Sequence, residues 1–430
     1  MIKCGAAERC VTPKLGLNIP QCMRFNPATG VKDDLYTHAI AVESDGKAAV
    51  LISIDTSGLG TRFTKRVRKA INEKTGVDPS AIMVSAIHIH TGGPQLLDVF
   101  WGQGEDRETE ELFFTQTVDA AIEAYNSRVP VHVSFGEGKE DRISFCRNYI
   151  KKDGSVTMNP GRREIPEIVK RASDIDYTLS VMRFNGYDGS LIAEIVNFAC
   201  HPDTVGGQEY CADYPGEMRR LLKEKYGDHT VLFLNGCSGN VNHIDAFAFA
   251  DPAFRYPKDH YKVMGKILAD DVIALDDGMK KCDELSVSYS LKRFRAKRRQ
   301  PSEERVEQSQ NALADERSSG VSKSLAKEIL KLHNHPKHFE LVEMQVIRIG
   351  DIFVVGFPGE PFGDIALRLR ERVAPKNLII SELANNELGY FATEPAFSGE
   401  VYEAVLPSDP FELDVIEKMI DTAEELIEKI

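Results

Sequence analysis

Ala49-Val50-Leu51-Ile52-Ser53-Ile54-Asp55 and Ala81-Ile82-Met83-Val84-Ser85-Ala86-Ile87 are two apolar, β-branched runs flanking an amphipathic stretch from Arg62 to Lys74. Runs of this length predict buried strands and the stretch between them predicts a helix, so the segment reads strand–helix–strand. The second strand runs straight into His88-Ile89-His90-Thr91-Gly92-Gly93. The same grammar returns twice. A strand over Ile192 to Phe198 reaches His201-Pro202, a helix follows near Pro215 to Lys225, and a strand over Val231 to Leu234 enters Asn235-Gly236-Cys237-Ser238-Gly239-Asn240. Later, a strand over Ile352 to Gly356 reaches Pro358-Gly359-Glu360-Pro361, a helix covers Gly363 to Val373, and a strand over Leu378 to Leu383 ends at Asn385-Asn386. The predicted fold class is α/β, with mixed sheets and flanking helices built from repeated strand–helix–strand units. Polar or Gly-rich sequence follows a strand's C-terminal end each time, where open α/β sheets bind ligands, and convergence of the three loops on one site is expected.

The 430 residues are read as one domain over 1–430, with a charged helical insertion at about 297–335, where Ser, Glu, Lys, Arg and Gln dominate. Leu413, Ile416, Met419, Ile420 and Ala423 have helical spacing, which predicts a docking helix within 410–430. Asp plus Glu outnumber Lys plus Arg, 66 to 53, for a net charge of −13, which argues against a nucleic-acid partner because polyanions are repelled. The N-terminus lacks an apolar signal region and no run approaches a membrane span, so a cytoplasmic protein without stable membrane association is expected. Eight scattered cysteines, Cys22 among them, include no C-x-x-C pair and read as reduced thiols. A small-molecule substrate is the expected partner; assembly into a homo-oligomer is left open.

In an extended strand, His88 and His90 at i and i+2 share one face, with Ile87 and Ile89 turned into packing. Two imidazoles in a Gly-bounded loop suit a metal or an acid/base pair, and equally a hydrogen-bonded structural pair. His201 closes an apolar strand, and a lone histidine there reads more readily as structural than as a ligand. Glu360, between Pro-Gly and Pro and flanked by Phe357 and Phe362, is costly to bury without a cation or donors. Tyr390 and Tyr402 taken alone read as core aromatics.

Several motifs in one order resemble the catalytic domain of the neutral (alkaline, non-lysosomal) ceramidase family. The H-T-H-S-G-P loop of that family is matched by His88 to Gly93, its N-F-A-x-H-P by Asn197 to Pro202, and its A-D-[FY]-P-G by Ala212 to Gly216. Its P-G-E with a later Tyr loop is matched by Pro358-Gly359-Glu360 and Tyr390, and its N-terminal region by Val11-Thr12-Pro13 and Thr29-Gly30 leading to Asp34-Leu35-Tyr36. The resemblance covers about residues 5–410. It implies a zinc amidohydrolase with His88, His201, Glu360 and Tyr390 as Zn²⁺ ligands, His90 and Tyr402 facing the reacting carbonyl, and Arg147 lining the site.

Two departures accompany it. Where the family has G-D-V-S, this chain has Gly239-Asn240-Val241-Asn242, so Asn242 stands at the active-site serine and cannot be an alkoxide nucleophile. Past residue 410 the sequence leaves no length for the family's C-terminal β-sandwich. The leading expectation is a zinc-dependent hydrolase of an amide, or related C–N or ester bond, in a small polar substrate other than ceramide. The alternatives are a zinc enzyme acting on a carbohydrate derivative, using Asn240, Asn242, His243, Asp245 and Arg147 for hydroxyl groups, and a non-catalytic small-molecule binder.

Overall fold

Apolar runs buried on both faces become parallel strands here, as that pattern demands. The computed structural model describes residues 1–19, 26–93, 96, 107–399 and 401–430; Cys22 lies outside the described residues. The chain opens with β1 (Lys3–Cys10), β2 (Tyr36–Ser44), β3 (Lys47–Ile54), α1 (Thr61–Thr75) and β4 (Ile82–Ala86). It continues through α2 (Arg107–Asn126), β5 (Val129–Lys139), β6 (Thr178–Gly186), β7 (Leu191–Phe198), α3 (Asp213–Tyr226), β8 (Thr230–Asn235) and α4 (His260–Ala274). The last part holds β9 (Val287–Lys297), α5 (Glu303–Ala314), α6 (Gly320–Asn334), β10 (Phe339–Ile349), β11 (Ile352–Gly356), α7 (Gly363–Val373), β12 (Asn377–Ser381) and α8 (Asp414–Lys429).

All three predicted strand–helix–strand units are parallel pairs: β3 with β4, β7 with β8, and β11 with β12. Each is preceded by an antiparallel partner, β2, β6 and β10, so the unit that recurs is a hairpin followed by a crossover helix and a parallel strand. The first two units lie in one nine-stranded sheet ordered β8-β7-β6-β5-β1-β2-β3-β4, with the short strand Lys280–Lys281 beside β5. The third lies in a four-stranded sheet ordered β9-β10-β11-β12. Helices α1 to α4 contribute Phe63, Phe113, Met218 and Leu268 to the core of the large sheet, while α7 and α8 close a second core against the smaller one through Leu369, Met419 and Ile420.

Three sets of polar contacts draw the units together. Ser53 Oγ of β3 donates to the Phe233 carbonyl of β8 at 2.6 Å, and Ser381 Oγ donates to Ser85 Oγ at 3.0 Å. The Asn197 amide of β7 donates to the Leu234 and Ile380 carbonyls, both at 2.8 Å, and accepts from Ile380 N at 3.0 Å. The C-terminal ends of the three parallel pairs therefore meet. The charged insertion is a helical hairpin, α5 and α6, joining β9 to β10; Val306, Ala326 and Ile329 bury its inner side. Helix α8 docks through Ile416, Met419, Ile420 and Ala423, whereas Leu413 precedes it and is 39% exposed. No helix among the described residues is long and apolar enough to cross a membrane.

Candidate metal centre

The strand that was expected to carry His88 and His90 ends at Ala86. His88 instead takes φ +71, so the two rings do not share a face by strand alternation. Left-handed backbone at a non-glycine residue persists only where its surroundings over-determine it. Here the His88 amide donates to the Thr56 carbonyl at 3.0 Å and its ring Nδ1 to the Ser57 carbonyl at 2.6 Å. That second bond assigns the proton to Nδ1 and aims the Nε2 lone pair inward. His201, fully buried after β7, is held in the same manner: Nδ1 faces the carbonyls of Ser238 at 2.8 Å and Val241 at 3.1 Å.

Glu360 follows β11. Its amide donates to the Gly389 carbonyl at 3.0 Å, and it pairs in parallel register with Tyr390, which sets the two side chains next to each other. Glu360 Oε2 stands 3.2 Å from His88 Nε2 and 3.1 Å from His201 Nε2. Apart from this approach to each other and to His88, neither His201 Nε2 nor Glu360 Oε2, both buried, has a hydrogen-bond partner among the described residues. Two imidazole nitrogens and a carboxylate oxygen turned on one point in a buried site can hold a cation between them. This N/O donor set suits Zn²⁺.

His90 reaches the same centre, with Nε2 3.4 Å from His88 Nε2 and its ring edge-on to that of His88. Ring nitrogens of His88, His90 and His201 all lie within 4.8 Å of one another, so an all-histidine trio competes with the set containing Glu360. The unpartnered atoms favour Glu360 as third donor, leaving His90 to face the centre. Burial keeps His90 neutral by pushing it down to about 3. Burial also opposes charge on His88, but Glu360 outweighs it and raises that ring to about 10; His201 is lowered by burial and by Arg147. Burial would raise Glu360, yet the His88 and His201 rings hold it well below the usual carboxylate range. The carboxylate charge is in place for a cation.

Arg147 ties the surrounding loops together. Its Nε donates to Glu403 Oε1 at 2.6 Å, and its Nη2 donates to the Gly239 carbonyl at 2.7 Å and to Tyr390 Oη at 3.4 Å. The Tyr402 ring stands edge-on to Tyr390, with centroids 5.8 Å apart, and burial pushes its hydroxyl up to about 12, so it remains a phenol and a donor. Asn242 is fully buried, donating to Asn159 Oδ1 at 2.9 Å and accepting from Ile244 N at 3.0 Å. It lies in the two-residue strand Val241–Asn242, and its amide ties that strand to Asn159. The buried Asp213 of the A-D-Y-P-G stretch likewise accepts from the amides of Thr204 and Val205 at 3.0 and 3.1 Å, fixing the loop after His201.

Sequence reasoning missed three carboxylates. Glu382 accepts from Ser238 N at 2.8 Å and Ser238 Oγ at 2.6 Å, and that hydroxyl is 3.3 Å from His201 Nδ1, so the carboxyl backs the histidine; burial pushes it up to about 8. Glu387 accepts from Gly389 N at 2.8 Å, while its Oε2 is buried without a hydrogen-bond partner among the described residues. Asp203 lies two residues past His201 and 3.2 Å from His243 Nδ1. The signal for the first two was present: Ser381-Glu382-Leu383-Ala384-Asn385-Asn386-Glu387 follows an apolar strand, just as His88 and His201 do.

Gly239 supplies a direct check on this packing. A Cβ there would stand 2.4 Å from the Glu360 carbonyl oxygen and 3.0 Å from the Pro361 carbonyl oxygen, both rigid backbone. Gly239→Ala is expected to displace Glu360 and weaken zinc binding about tenfold or more, as disturbed supporting groups do. Zinc titration of the variant reads this directly, and unchanged affinity would disprove the dependence.

The fold is that of bacterial neutral ceramidase. It matches the crystal structure of neutral ceramidase from Pseudomonas aeruginosa with a TM-score of 0.76 and 14% identity, over 100% of this chain and 75% of that one. A structure described as ceramidase complexed with C2 matches with a TM-score of 0.74 and 14% identity, over 99% of this chain and 74% of that one. No protein-family model matches the chain, and no curated protein does.

Proposed function

We propose that the protein is a zinc-dependent hydrolase that cleaves an amide, or a related C–N or ester bond, in a small polar substrate. The observation that carries this is the approach of Glu360 Oε2 to His88 Nε2 at 3.2 Å and to His201 Nε2 at 3.1 Å, with Glu360 Oε2 and His201 Nε2 buried and otherwise unpartnered among the described residues. Tyr390, in register with Glu360, is the fourth ligand in this reading. Zinc bound there would lower the pKa of a water and polarise the scissile carbonyl. The chain's own groups do the rest. His90 and Tyr402 donate hydrogen bonds to the carbonyl oxygen as it gains charge, and Arg147 holds Tyr390, Gly239 and Glu403 in place around it.

The structural neighbours are ceramidases, and this reading parts from them over the substrate. Asn242 occupies the serine position with its amide committed to Asn159 and Ile244, and a net charge of −13 repels anionic bilayers. The expected outcome is negligible turnover of a short-chain fluorescent ceramide, beside zinc-dependent turnover within a panel of N-acyl amino acids, N-acyl sugars and glycosides. Robust ceramide hydrolysis by the zinc-loaded protein would overturn the substrate assignment, and turnover indifferent to zinc removal would overturn the zinc assignment.

A further inference from the structure

Resting on that reading, we propose that Asp203, His243 and an aromatic wall built by Phe254, Tyr256 and His260 form a subsite for a polyhydroxylated, sugar-like part of the substrate. The wall begins at the centre. His90 N donates to the Pro202 carbonyl at 3.2 Å, which fixes Asp203 next to the histidine cluster. His243 Nδ1 meets Asp203 Oδ1 at 3.2 Å, and the side chains remain 13% and 25% exposed, so the pair is open on one side.

From His243 the surface continues in aromatic steps. Its ring lies 5.9 Å from Tyr256 and 5.7 Å from His260; Tyr256 lies 4.6 Å from His260 and 4.9 Å from Phe254. These rings are half-buried and belong to none of the hydrophobic cores. Phe254 and Tyr256 stand on an exposed loop leading into α4, which His260 opens, and that loop is held in shape before any ligand arrives. Asp245 N donates to Tyr256 Oη at 2.8 Å, and the Arg162 guanidinium caps the carbonyls of Asp251 at 2.8 Å and Phe254 at 2.5 Å. His260 Nδ1 has no hydrogen-bond partner among the described residues.

The chemistry selects the ligand class. A carboxylate accepts from neighbouring hydroxyls, an imidazole beside it donates or accepts, and ring faces cover the apolar face of a pyranose. An ammonium ligand could also meet rings and a carboxylate, but it would have to share Asp203 with an imidazole that already uses it. A sugar, carrying donors and acceptors together, uses both members of the pair.

Isothermal titration of the purified, zinc-containing protein with N-acetylglucosamine, N-acetylglycine and choline tests this. N-acetylglucosamine is expected to bind in preference to the other two. Asp203→Asn, by about the scale of one hydrogen bond to a charged group, and Tyr256→Leu, by loss of the ring, should each weaken it about tenfold or more, with a melting curve showing that each variant folds. Equal binding of all three probes, preference for choline, or two well-folded variants that bind the sugar like wild type would each overturn the subsite. Zinc content measured on the same samples separates the outcomes, because a protein that lacks zinc yet binds the sugar through these residues fails the hydrolase reading and keeps the subsite.

Discussion

Alanine at His88, His201 or Glu360 is expected to leave the protein with little of the one zinc per chain that the wild type should carry. Each substitution removes one donor from a set in which the other donors are already fixed. The Nδ1 protons of His88 and His201 go to backbone carbonyls, and Glu360 is anchored through Gly389. Such preorganisation makes each donor count, so affinity should fall by at least about 10²-fold, beyond the 10–100-fold typical of losing a supporting group. Glu382→Gln provides that smaller comparison, because the carboxyl reaches His201 only through Ser238. Elemental analysis of each variant, with a melting curve to show that it folds, gives the answer. Stoichiometric zinc in the folded double variant His88→Ala/His201→Ala would end the assignment. His90→Ala decides between the two candidate donor sets, since loss of zinc there would place His90 among the ligands.

Much of this centre could be read before any coordinates. The apolar runs at 49–54, 231–234 and 352–356 are strands because they are buried on both faces, and a run of that kind is unambiguous in length and composition. Polar residues at the C-terminal ends of such strands have few places to go but the crevice, which brought His88 and Glu360 to notice, whereas His201 read as structural until the family resemblance supplied the ligand set. The route by which His88 and His90 meet was not legible. Strand alternation predicts parallel rings, whereas the left-handed turn at His88 is imposed by Thr56 and Ser57, over thirty positions earlier in the chain. Glu382 and Glu387 escaped for a related reason: a carboxylate in a polar loop looks solvated until packing against Ser238 and Gly389 buries it. Asn242 shows the converse. The alignment of motifs put it at the active-site serine, and its position in a short strand, with its amide bonded to Asn159 and Ile244, was not legible from the motif.

Turnover should respond very differently from zinc content at His90 and Tyr402. In this reading both residues act on charge that exists only once the carbonyl is attacked, so removing either leaves the metal in place and raises the barrier. His90 enters the reaction neutral, because burial pushes it down to about 3, and Tyr402 enters as a phenol held up to about 12, so neither brings a charge that the resting site must balance. Loss of one such donor costs about 10²–10³ in rate, or about 2.7–4 kcal/mol of transition-state stabilisation. Tyr402→Phe is the cleaner probe: it deletes one hydroxyl and keeps the ring that stands edge-on to Tyr390. The expected result is a kcat lower by two to three orders of magnitude (about the loss of one oxyanion donor), with KM and zinc content near wild type. A Tyr402→Phe protein that turns over normally would remove the hydroxyl from the mechanism. One that loses its zinc would instead make Tyr402, and not Tyr390, the phenolic ligand, and with it reverse the roles of the two tyrosines.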